Sequence, residues 1–464
     1  MTVEAGGIGT FVSGFPADFG WGTATSAYQI EGAVDEGGRG QSIWDIFSHE
    51  SGRIERGENA DISCDHYHHW QEDLDLMAEL GLSVYRFSIA WPRVMPDGKG
   101  PLNEEGVGFY SGLIDGLLER GITPFPTLYH WDLPQALEEE GGWMNRDTSQ
   151  RFAEYAAAMF ERFGDRVDLW LTHNEPWVAA FVAYVAGEHA PGGCEDWPLA
   201  LRVSHHLLLS HGLAVQALRA SRAASAKIGF APNLQPVHPL TGSPEDAEAA
   251  RIWDGFQNRW FLDPVFKGSY PEDMLAEYER FGVEEAIEDG DLAVISSPVD
   301  LLGVNFYQQA TVKHDPDSVF LGVAGVPTRP PLTDMGWAVT PEALHELLLR
   351  LKRDYGDFDI YITENGAAYP DEWDGGDIVE DPKRVDFISR HLESLSQAIA
   401  DGVNVKGYCV WALLDNFEWA KGYDKRFGLY YVDYPTQRRI PKRSALWYRD
   451  QIAASRLATP QEDE

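Results

Sequence analysis

The chain has 464 residues, of which 44% are hydrophobic and 24% are charged, a composition typical of a globular protein with a large core. Its formal net charge of -37 repels phosphate backbones and anionic lipid, so nucleic acid and membrane surfaces are poor partners. No stretch of the sequence is apolar for long enough to span a bilayer.

The start of the chain and its cysteines indicate a reducing compartment. Residues 1–7 have neither a basic start nor an apolar centre, so they do not resemble a secretion signal. The 3 cysteines, Cys64, Cys194 and Cys409, are widely spaced, which argues against a disulfide framework and against a zinc site. We therefore expect a cytoplasmic protein whose cysteines are buried as small apolar side chains.

Strand-like apolar runs alternate with helical stretches along the whole chain. The predicted strands cover 19–24, 84–89, 123–128, 167–172, 227–231, 299–304, 359–363 and 405–411. The predicted helices cover 65–80, 107–119, 149–163, 200–219, 341–355 and 382–401, and a last helix begins near Lys442. An elaborated section separates the fifth strand from the sixth.

This order of elements predicts an α/β fold, a single (β/α)8 TIM barrel with elaborated βα loops. Strands that are separated by helices pair in parallel through right-handed crossovers, and eight such units close into a ring. Length alone would allow three domains, but no linker or change of composition divides the chain. We predict one domain of residues 1–464, in which 1–12 and 456–464 are loosely ordered ends.

Two glutamates directly follow strand-like runs. Glu175 lies after the fourth predicted strand, and Glu364 lies after the seventh. In such barrels the carboxyl ends of the strands form the rim where the chemistry takes place. Either glutamate alone could be a solvated loop carboxylate, but two that face each other across one rim are what cleavage of a glycosidic bond requires.

Around these glutamates the chain resembles glycoside hydrolase family 1, the β-glucosidase family. The similar segments are 24–32, 85–91, 128–134, 174–176, 305–307, 362–366 and 414–419, and the resemblance extends over nearly the whole chain. It implies a retaining β-glucosidase that removes terminal non-reducing β-D-glucosyl residues by double displacement, without a cofactor. A β-galactosidase or β-fucosidase, a transglycosylating β-glycosidase and a non-catalytic sugar-binding barrel remain open alternatives.

The resemblance also implies a role for each candidate site residue. Glu364 would be the nucleophile, and Glu175 would be the general acid and then the general base. The supports of the nucleophile would be Arg86, Tyr307 and Asn305. The sugar would be bound by Gln29, His130, Asn174, Trp411, Glu418 and Trp419, and the leaving-group side would carry Trp177 and Trp337.

Two of these positions make the implied function more specific. At the spacing of retaining enzymes, about 5–5.5 Å, the negative charge of Glu364 should raise the pKa of Glu175 and keep it an acid near neutrality. Family members that act on 6-phosphorylated sugars carry a small hydroxyl residue at the position of Glu418, and a carboxylate there would repel phosphate. We therefore expect small-molecule, unphosphorylated β-glycosides and oligosaccharides as substrates, while a homo-oligomer remains open.

Other features of the sequence are less informative. The histidine-rich run at 65–69 lacks a convincing set of partner ligands, so we predict no metal site. Departures from the family pattern are small: His173 replaces a frequent Phe, Cys409 a bulkier aromatic residue, and Ala412 a Ser. None of them is a carboxylate, but His173 and Ala412 leave the fine structure of the pocket open.

Overall fold

The computed structural model describes residues 11–193, 196–326 and 330–458, and a ring of eight parallel strands lies at the centre of these ranges. The strands are β1 (Gly20–Ala24), β2 (Val84–Ser88), β3 (Thr123–Tyr129), β4 (Leu169–Asn174), β5 (Lys227–Ala231), β6 (Leu301–Asn305), β7 (Asp359–Asn365) and β8 (Val405–Trp411). Cys194 and most of the two predicted loose ends lie outside the described residues.

The strands hydrogen-bond in the order β5-β4-β3-β2-β1-β8-β7-β6. Backbone hydrogen bonds then close the ring between its two outer members: the N–H of Asp300 donates to the carbonyl of Ile228 at 2.9 Å, and that of Asn305 to Pro232 at 3.1 Å. A Cβ atom on Gly229 would clash with the carbonyl oxygen of Leu301, so glycine at this position lets β5 approach β6. These bonds nearly close the ring and cover the edges that an open sheet of these strands would expose.

Each strand of the ring is followed by at least one helix on its way to the next. The long helices are His66–Glu79, Glu104–Glu119, Asp147–Phe163, Trp197–Ala220, Pro341–Tyr355, Pro382–Ala400 and Arg443–Ala458. Pro341 and Pro382 stand at the first helical position, where proline is favoured because that N–H has no partner within the helix. Among the described residues no helix is both long enough and apolar enough to cross a membrane.

The loops after the strands carry the remaining elements, and the longest elaboration lies between β5 and β6. The short helices are Ala27–Ile30, Ile43–His49, Glu55–Gly57, Trp91–Val94, Gln135–Glu138, Gly142–Met144, Val178–Ala186, Pro244–Asp254, Gly255–Arg259, Trp260–Lys267, Glu272–Tyr278, Glu279–Phe281, Val283–Ala286, Asp291–Ile295 and Trp419–Lys421. A small sheet is formed by Val237–Pro239, Ala310–His314 and Val323–Gly325, and a hairpin by Tyr430–Asp433 and Arg438–Pro441.

The predicted α/β barrel is confirmed, and the differences concern where strands end. Strand β4 extends two residues beyond the predicted end, and β7 includes Glu364 instead of ending before it. The reason is pairing with neighbours: Glu364 pairs with Asn305 on β6, and Asn365 pairs with Val410 on β8. The extension places the polar ends of these strands within the rigid ring.

Candidate active site

A cavity of about 480 Å³ opens at the carboxyl ends of the strands and contains both predicted catalytic glutamates. Its wall includes side chains from the ends of β4, β6, β7 and β8, from the loops that follow these strands, and from the loops after β3 and β5. The ring therefore brings side chains from distant parts of the sequence into one pocket, as is usual for this fold.

Glu175 lies immediately after β4 in a fixed backbone conformation. Its φ angle is 44°, in the left-handed region that non-glycine residues rarely adopt, and its backbone N–H donates to the carbonyl of Ala231 at 2.8 Å. The residue is 7% exposed, and its Oε1 accepts a hydrogen bond of 2.7 Å from Nδ2 of Asn305. The backbone of Glu175 is thus held by the end of β5, and its carboxyl group by the end of β6.

The surroundings of Glu175 favour its protonated form. Burial is the largest cause, and the negative charge of Glu364 is the second; together they raise the pKa of Glu175 well above its usual range. The sequence predicted the second cause and did not include the first. A carboxyl group that keeps its proton near neutral pH can serve as a general acid.

Glu364 has the opposite environment, because both of its carboxylate oxygens accept hydrogen bonds. Oε1 accepts from Nη1 of Arg86, and Oε2 accepts from the phenol of Tyr307 at 2.6 Å. The residue is only 3% exposed, so the cation and the phenol replace the water that would otherwise stabilise its charge. Burial and the charge of Glu364 raise the pKa of Tyr307, which keeps the phenol a donor.

Arg86 is fully buried in the wall behind the cavity and is held by three strands. Its Nε donates to Oγ1 of Thr127 at 3.2 Å, and its Nη2 donates to Oδ1 of Asn174 at 2.6 Å. A buried guanidinium without such partners would be costly. The cation is therefore fixed in place for Glu364 by side chains from β3, β4 and β7.

Two asparagine side chains connect the two glutamates. Nδ2 of Asn305 donates both to Oε1 of Glu175 and to Oδ1 of Asn174, at 2.7 and 2.9 Å. Oδ1 of Asn305 accepts from Oγ1 of Thr363 at 2.7 Å, which orients the amide. Because Asn174 also accepts from Arg86, a continuous series of hydrogen bonds runs from one carboxyl group to the other.

His130 lines the cavity as a neutral imidazole. Burial and the nearby cation of Arg86 lower the pKa of His130 well below its usual value. Nε2 accepts a hydrogen bond of 3.0 Å from Nδ2 of Asn174, so the ring proton is on Nδ1. Nδ1 is buried and has no partner within the described residues, so it is a donor that the protein leaves without an acceptor.

Glu418 and the aromatic rings near it form the part of the wall around His130. Burial and then the charge of Glu364 raise the pKa of Glu418 to about 8. Its Oε2 is buried and has no partner in the described part of the chain. The imidazole of His130 stacks against the rings of Trp411 and Trp419, with centroid distances of 6.0 and 5.9 Å.

Of the predicted site residues, Gln29 and Arg86 lie behind the cavity and the others line it. The amide of Gln29 is occupied by the protein, because Oε1 accepts from Ser26 at 2.6 Å and Nε2 donates to Asn416 and to the carbonyl of Phe417. Sugar binding by Gln29 therefore remains a prediction, and its present contacts hold the segment that precedes Glu418.

The two predicted leaving-group tryptophans line different parts of the wall. The ring of Trp337 contacts that of Tyr307 with a centroid distance of 5.1 Å, so it lies next to the support of Glu364. Trp177 packs edge-on against Phe256 at 5.4 Å, in the elaborated section after β5. Both side chains are partly exposed and have ring surface available in the cavity.

Several residues that line the cavity were not predicted as site residues. Trp131 has a φ angle of 75° and donates its indole N–H to the carbonyl of Asn174 at 2.9 Å. Trp131 lies within residues 128–134, which resemble the family, and this resemblance was the only sequence feature that could have indicated it. Asn233, Trp253 and Gln257 belong to the elaborated section, where no periodic pattern indicates which side chains face a cavity.

The other residues considered from the sequence lie elsewhere. His173 bonds Oγ of Ser210 at 2.8 Å, stacks on Phe152 and is absent from the cavity wall. His66, the first histidine of the run at 66–69, bonds the carboxylate of Asp73 at 2.8 Å. No group of three or more potential metal ligands occurs in the described ranges. Both cysteines within those ranges are buried.

The sequence and the structure are similar to those of characterised proteins over nearly their full length. Residues 12–456 match the family model described as "Glycosyl hydrolase family 1". The chain is 48% identical to "Beta-glucosidase A" of Acetivibrio thermocellus, covering 94% of this chain and 98% of the relative. It is 46% identical to the "Bifunctional beta-D-glucosidase/beta-D-fucosidase" of Bifidobacterium breve, covering 95% and 98%.

Solved structures give the same result. The structure matches that of the GH1 beta-glucosidase from Exiguobacterium antarcticum with a TM-score of 0.93 at 47% identity, covering 96% of this chain and 100% of the other. It matches the beta-glucosidase from Thermotoga maritima in complex with glucoimidazole with a TM-score of 0.91 at 44% identity, covering 96% and 100%. These similarities cover nearly the whole of this chain and of the solved structures.

Proposed function

Because this chain belongs to glycosyl hydrolase family 1 and is therefore a glycoside hydrolase, we propose that it is a retaining β-glucosidase that removes terminal non-reducing β-D-glucosyl residues. The observation that supports this most strongly is the contrast between the two carboxyl groups of one cavity. Glu364 is surrounded by a cation and a phenol, whereas Glu175 is buried beside a negative charge. An ionised nucleophile and a protonated acid are the two groups that the reaction needs.

In the first step Glu364 attacks the anomeric carbon, and the bond from that carbon to the leaving oxygen breaks. Glu175 gives its proton to the leaving oxygen, and the sugar becomes an ester of Glu364. Arg86 and Tyr307 fix the carboxylate in position for this attack, because each holds one of its oxygens. Asn305 fixes the acid in the same way.

In the second step Glu175 acts as a base, and Glu364 becomes the leaving group. Esterification removes the negative charge of Glu364, and with it the second-largest cause of the raised pKa of Glu175. The ionised Glu175 then takes a proton from water, whose oxygen attacks the anomeric carbon and releases Glu364. Two inversions return the β-configuration.

The glycone is bound, in this proposal, by the group of donors and acceptors around His130. Nδ1 of His130 donates to a sugar hydroxyl, and Oε2 of Glu418 accepts from one when the carboxyl group is ionised and donates to one when it is protonated, since both atoms are buried without partners in the described residues. Trp411 supplies an aromatic face for the sugar ring. The carboxyl group of Glu418 favours unphosphorylated sugars. We further propose that residues 1–464 act as a single catalytic domain.

The test is chemical rescue of a variant that lacks the nucleophile. Glu364→Ala should lower the kcat for 4-nitrophenyl β-glucoside by more than 1000-fold, and added azide should form a glycosyl azide of inverted, α configuration. Glu188→Ala removes an exposed carboxylate at the cavity wall and serves as the matched control, which should retain turnover. Wild-type turnover by Glu364→Ala would contradict the assignment of the nucleophile.

The name of one relative suggests β-D-fucose as a second glycone to be tested. The relative from Bifidobacterium breve is named for activity on both β-D-glucosides and β-D-fucosides. We propose that the present enzyme also accepts β-D-fucosides. The kcat/KM values for matched aryl β-glucoside, β-galactoside and β-fucoside, with the product anomer followed by NMR, rank these glycones directly.

A further inference from the structure

A network of ionisable side chains lies behind the cavity and takes no part in the proposed reaction. The ion network consists of three cations and three carboxylates, which belong to Arg384, Arg426, Lys442, Asp371, Asp381 and Asp415. None of the six lines the cavity in the described ranges. A buried ion pair is often no more stabilising than apolar side chains of the same volume, so a role other than stability is indicated.

Lys442 connects two loops of the rim through this network. Its Nζ donates to Oδ1 of Asp415 and to Oδ2 of Asp371, at 2.6 Å each. The side chain of Lys442 is 0% exposed, so the two carboxylates replace water around the ammonium group. Asp371 follows β7 and Asp415 follows β8, so one ammonium group joins the loops after two neighbouring strands.

Arg384 joins the same two loops a second time. Its Nε donates to the carbonyl of Ala367 at 3.2 Å, and its Nη2 donates to the carbonyl of Arg426 at 2.8 Å. Ala367 follows Glu364 by three residues, and Arg426 lies near the end of the loop that carries Glu418. The ion network therefore links the backbone beyond the nucleophile to the loop that contributes Glu418 to the cavity.

The loop after β8 has an unfavourable backbone conformation where it carries Glu418. Trp419, the next residue, has a φ angle of 51°, and such a conformation persists only where the surrounding structure determines it. Asp415 joins the two ends of this loop, because its Oδ1 accepts from the N–H of Gly428 at 2.9 Å. Its Oδ2 accepts from Nη1 of Arg426 at 2.6 Å. The ion network thus holds the base of the loop.

We propose that Lys442 is a positioning residue that, through Asp415, fixes the carboxyl group of Glu418 relative to that of Glu364. The sugar ring must meet both groups at once, because one attacks its anomeric carbon while the other binds one of its hydroxyls. A displacement of about 1 Å between such groups can lower a rate by about 100-fold. The inference rests on the proposed function, in which Glu418 binds the glycone.

Lys442→Met tests this inference, since it keeps an unbranched side chain and removes the charge. The kcat/KM for 4-nitrophenyl β-glucoside should fall by about tenfold to 100-fold. The KM and the inhibition constant of glucose should both rise by about threefold or more, because sugar binding itself is weakened. A purely structural role would lower only the fraction of active enzyme, and therefore kcat. Unchanged KM and glucose inhibition would overturn the inference.

The matched control removes a cation from another ion pair. Arg146 donates to the carboxylate of Asp291 at 2.9 Å, and neither residue lines the cavity in the described part of the chain. Arg146→Met should leave KM and the inhibition constant of glucose within about twofold of wild type, since distant sites act independently. A rise in the control equal to that in Lys442→Met would mean that loss of any ion pair weakens sugar binding, and it would overturn the inference.

A double variant identifies the group through which Lys442 acts. In a Glu418→Ala enzyme, Lys442→Met should lower kcat/KM further by no more than about twofold, because the group that Lys442 positions is already absent. The full loss in that background would overturn the inference. A wild-type enzyme that does not cleave the β-glucoside would overturn the proposed function instead.

Arg426→Met tests the same anchor if Lys442→Met does not fold. Arg426 binds the other oxygen of Asp415, and its side chain is 17% exposed, so its loss leaves less charge uncompensated in the interior. The KM and the inhibition constant of glucose should again rise, by about threefold. Wild-type values of both constants in a folded Arg426→Met enzyme would overturn the inference.

Discussion

The hydrogen bond from Tyr307 to Glu364 allows a quantitative prediction. It is one of the two strong contacts of the nucleophile, with a length of 2.6 Å to Oε2, and the other oxygen is held by Arg86. Tyr307→Phe removes only this bond. A hydrogen bond to a charged group contributes about 1.5–3 kcal/mol, so kcat/KM for an aryl β-glucoside should fall by about 10- to 150-fold.

The matched control is a second buried tyrosine. The phenol of Tyr155 donates to the carbonyls of Ile89 and Leu128, at 3.1 and 3.0 Å, and contacts neither glutamate. Tyr155→Phe should lower the free energy of unfolding by about 1 kcal/mol and leave kcat/KM within twofold. Steady-state kinetics and urea unfolding of both variants separate catalysis from stability. A Tyr307→Phe enzyme with more than half of wild-type kcat/KM would refute the role of the phenol.

The remaining predictions concern the acid and one buried carboxyl group. Glu175→Ala should reduce hydrolysis of cellobiose far more than that of activated aryl glucosides, because good leaving groups do not need a proton; equal losses would remove Glu175 from the acid role. In the wild type, kcat/KM should fall as the pH rises through the raised pKa of Glu175, and a profile that is flat from pH 4 to 9 would contradict this. Burial raises the pKa of Glu138 from 4.5 to about 7, so at this group the folded state binds more protons than the unfolded state over that range. The contribution of Glu138 to the free energy of unfolding should therefore fall by about 3 kcal/mol between pH 4.5 and 7. Glu138→Gln should remove this loss in urea unfolding at pH 5 and 8, while the exposed control Glu139→Gln should retain it.

The elements of the fold could be predicted because their residues follow simple patterns. Strands buried on both sides form continuous apolar runs, and helices repeat their apolar face every three to four residues. The ends of β4 and β7 were predicted too short, because they consist of polar residues such as Asn174 and Asn365. Their strand conformation is determined by the hydrogen bonds of neighbouring strands, which a single run does not reveal.

The site was predicted as a set of residues but not as a network. The strand ends indicated both glutamates, and the resemblance to family 1 gave nine further residues that line the cavity, so that fewer than half of its lining residues were predicted. It did not indicate that Asn305 donates to Asn174 and to Glu175 at once, since this depends on three strand ends meeting. Asn233 and Gln257 could not be predicted either, because the section after β5 places them by packing and carries no repeating pattern.

The closed ring also determines when the enzyme becomes competent during folding. Arg86 and Glu175 come from β2 and β4, whereas Tyr307 follows β6 and Glu364 belongs to β7, so each half of the barrel contributes one glutamate and part of the surroundings of the other. A fragment that comprised only β1–β4, or only β5–β8, would have half of a reaction centre and could not hydrolyse a glycoside. Catalytic competence is thus a property of the completed circle of strands.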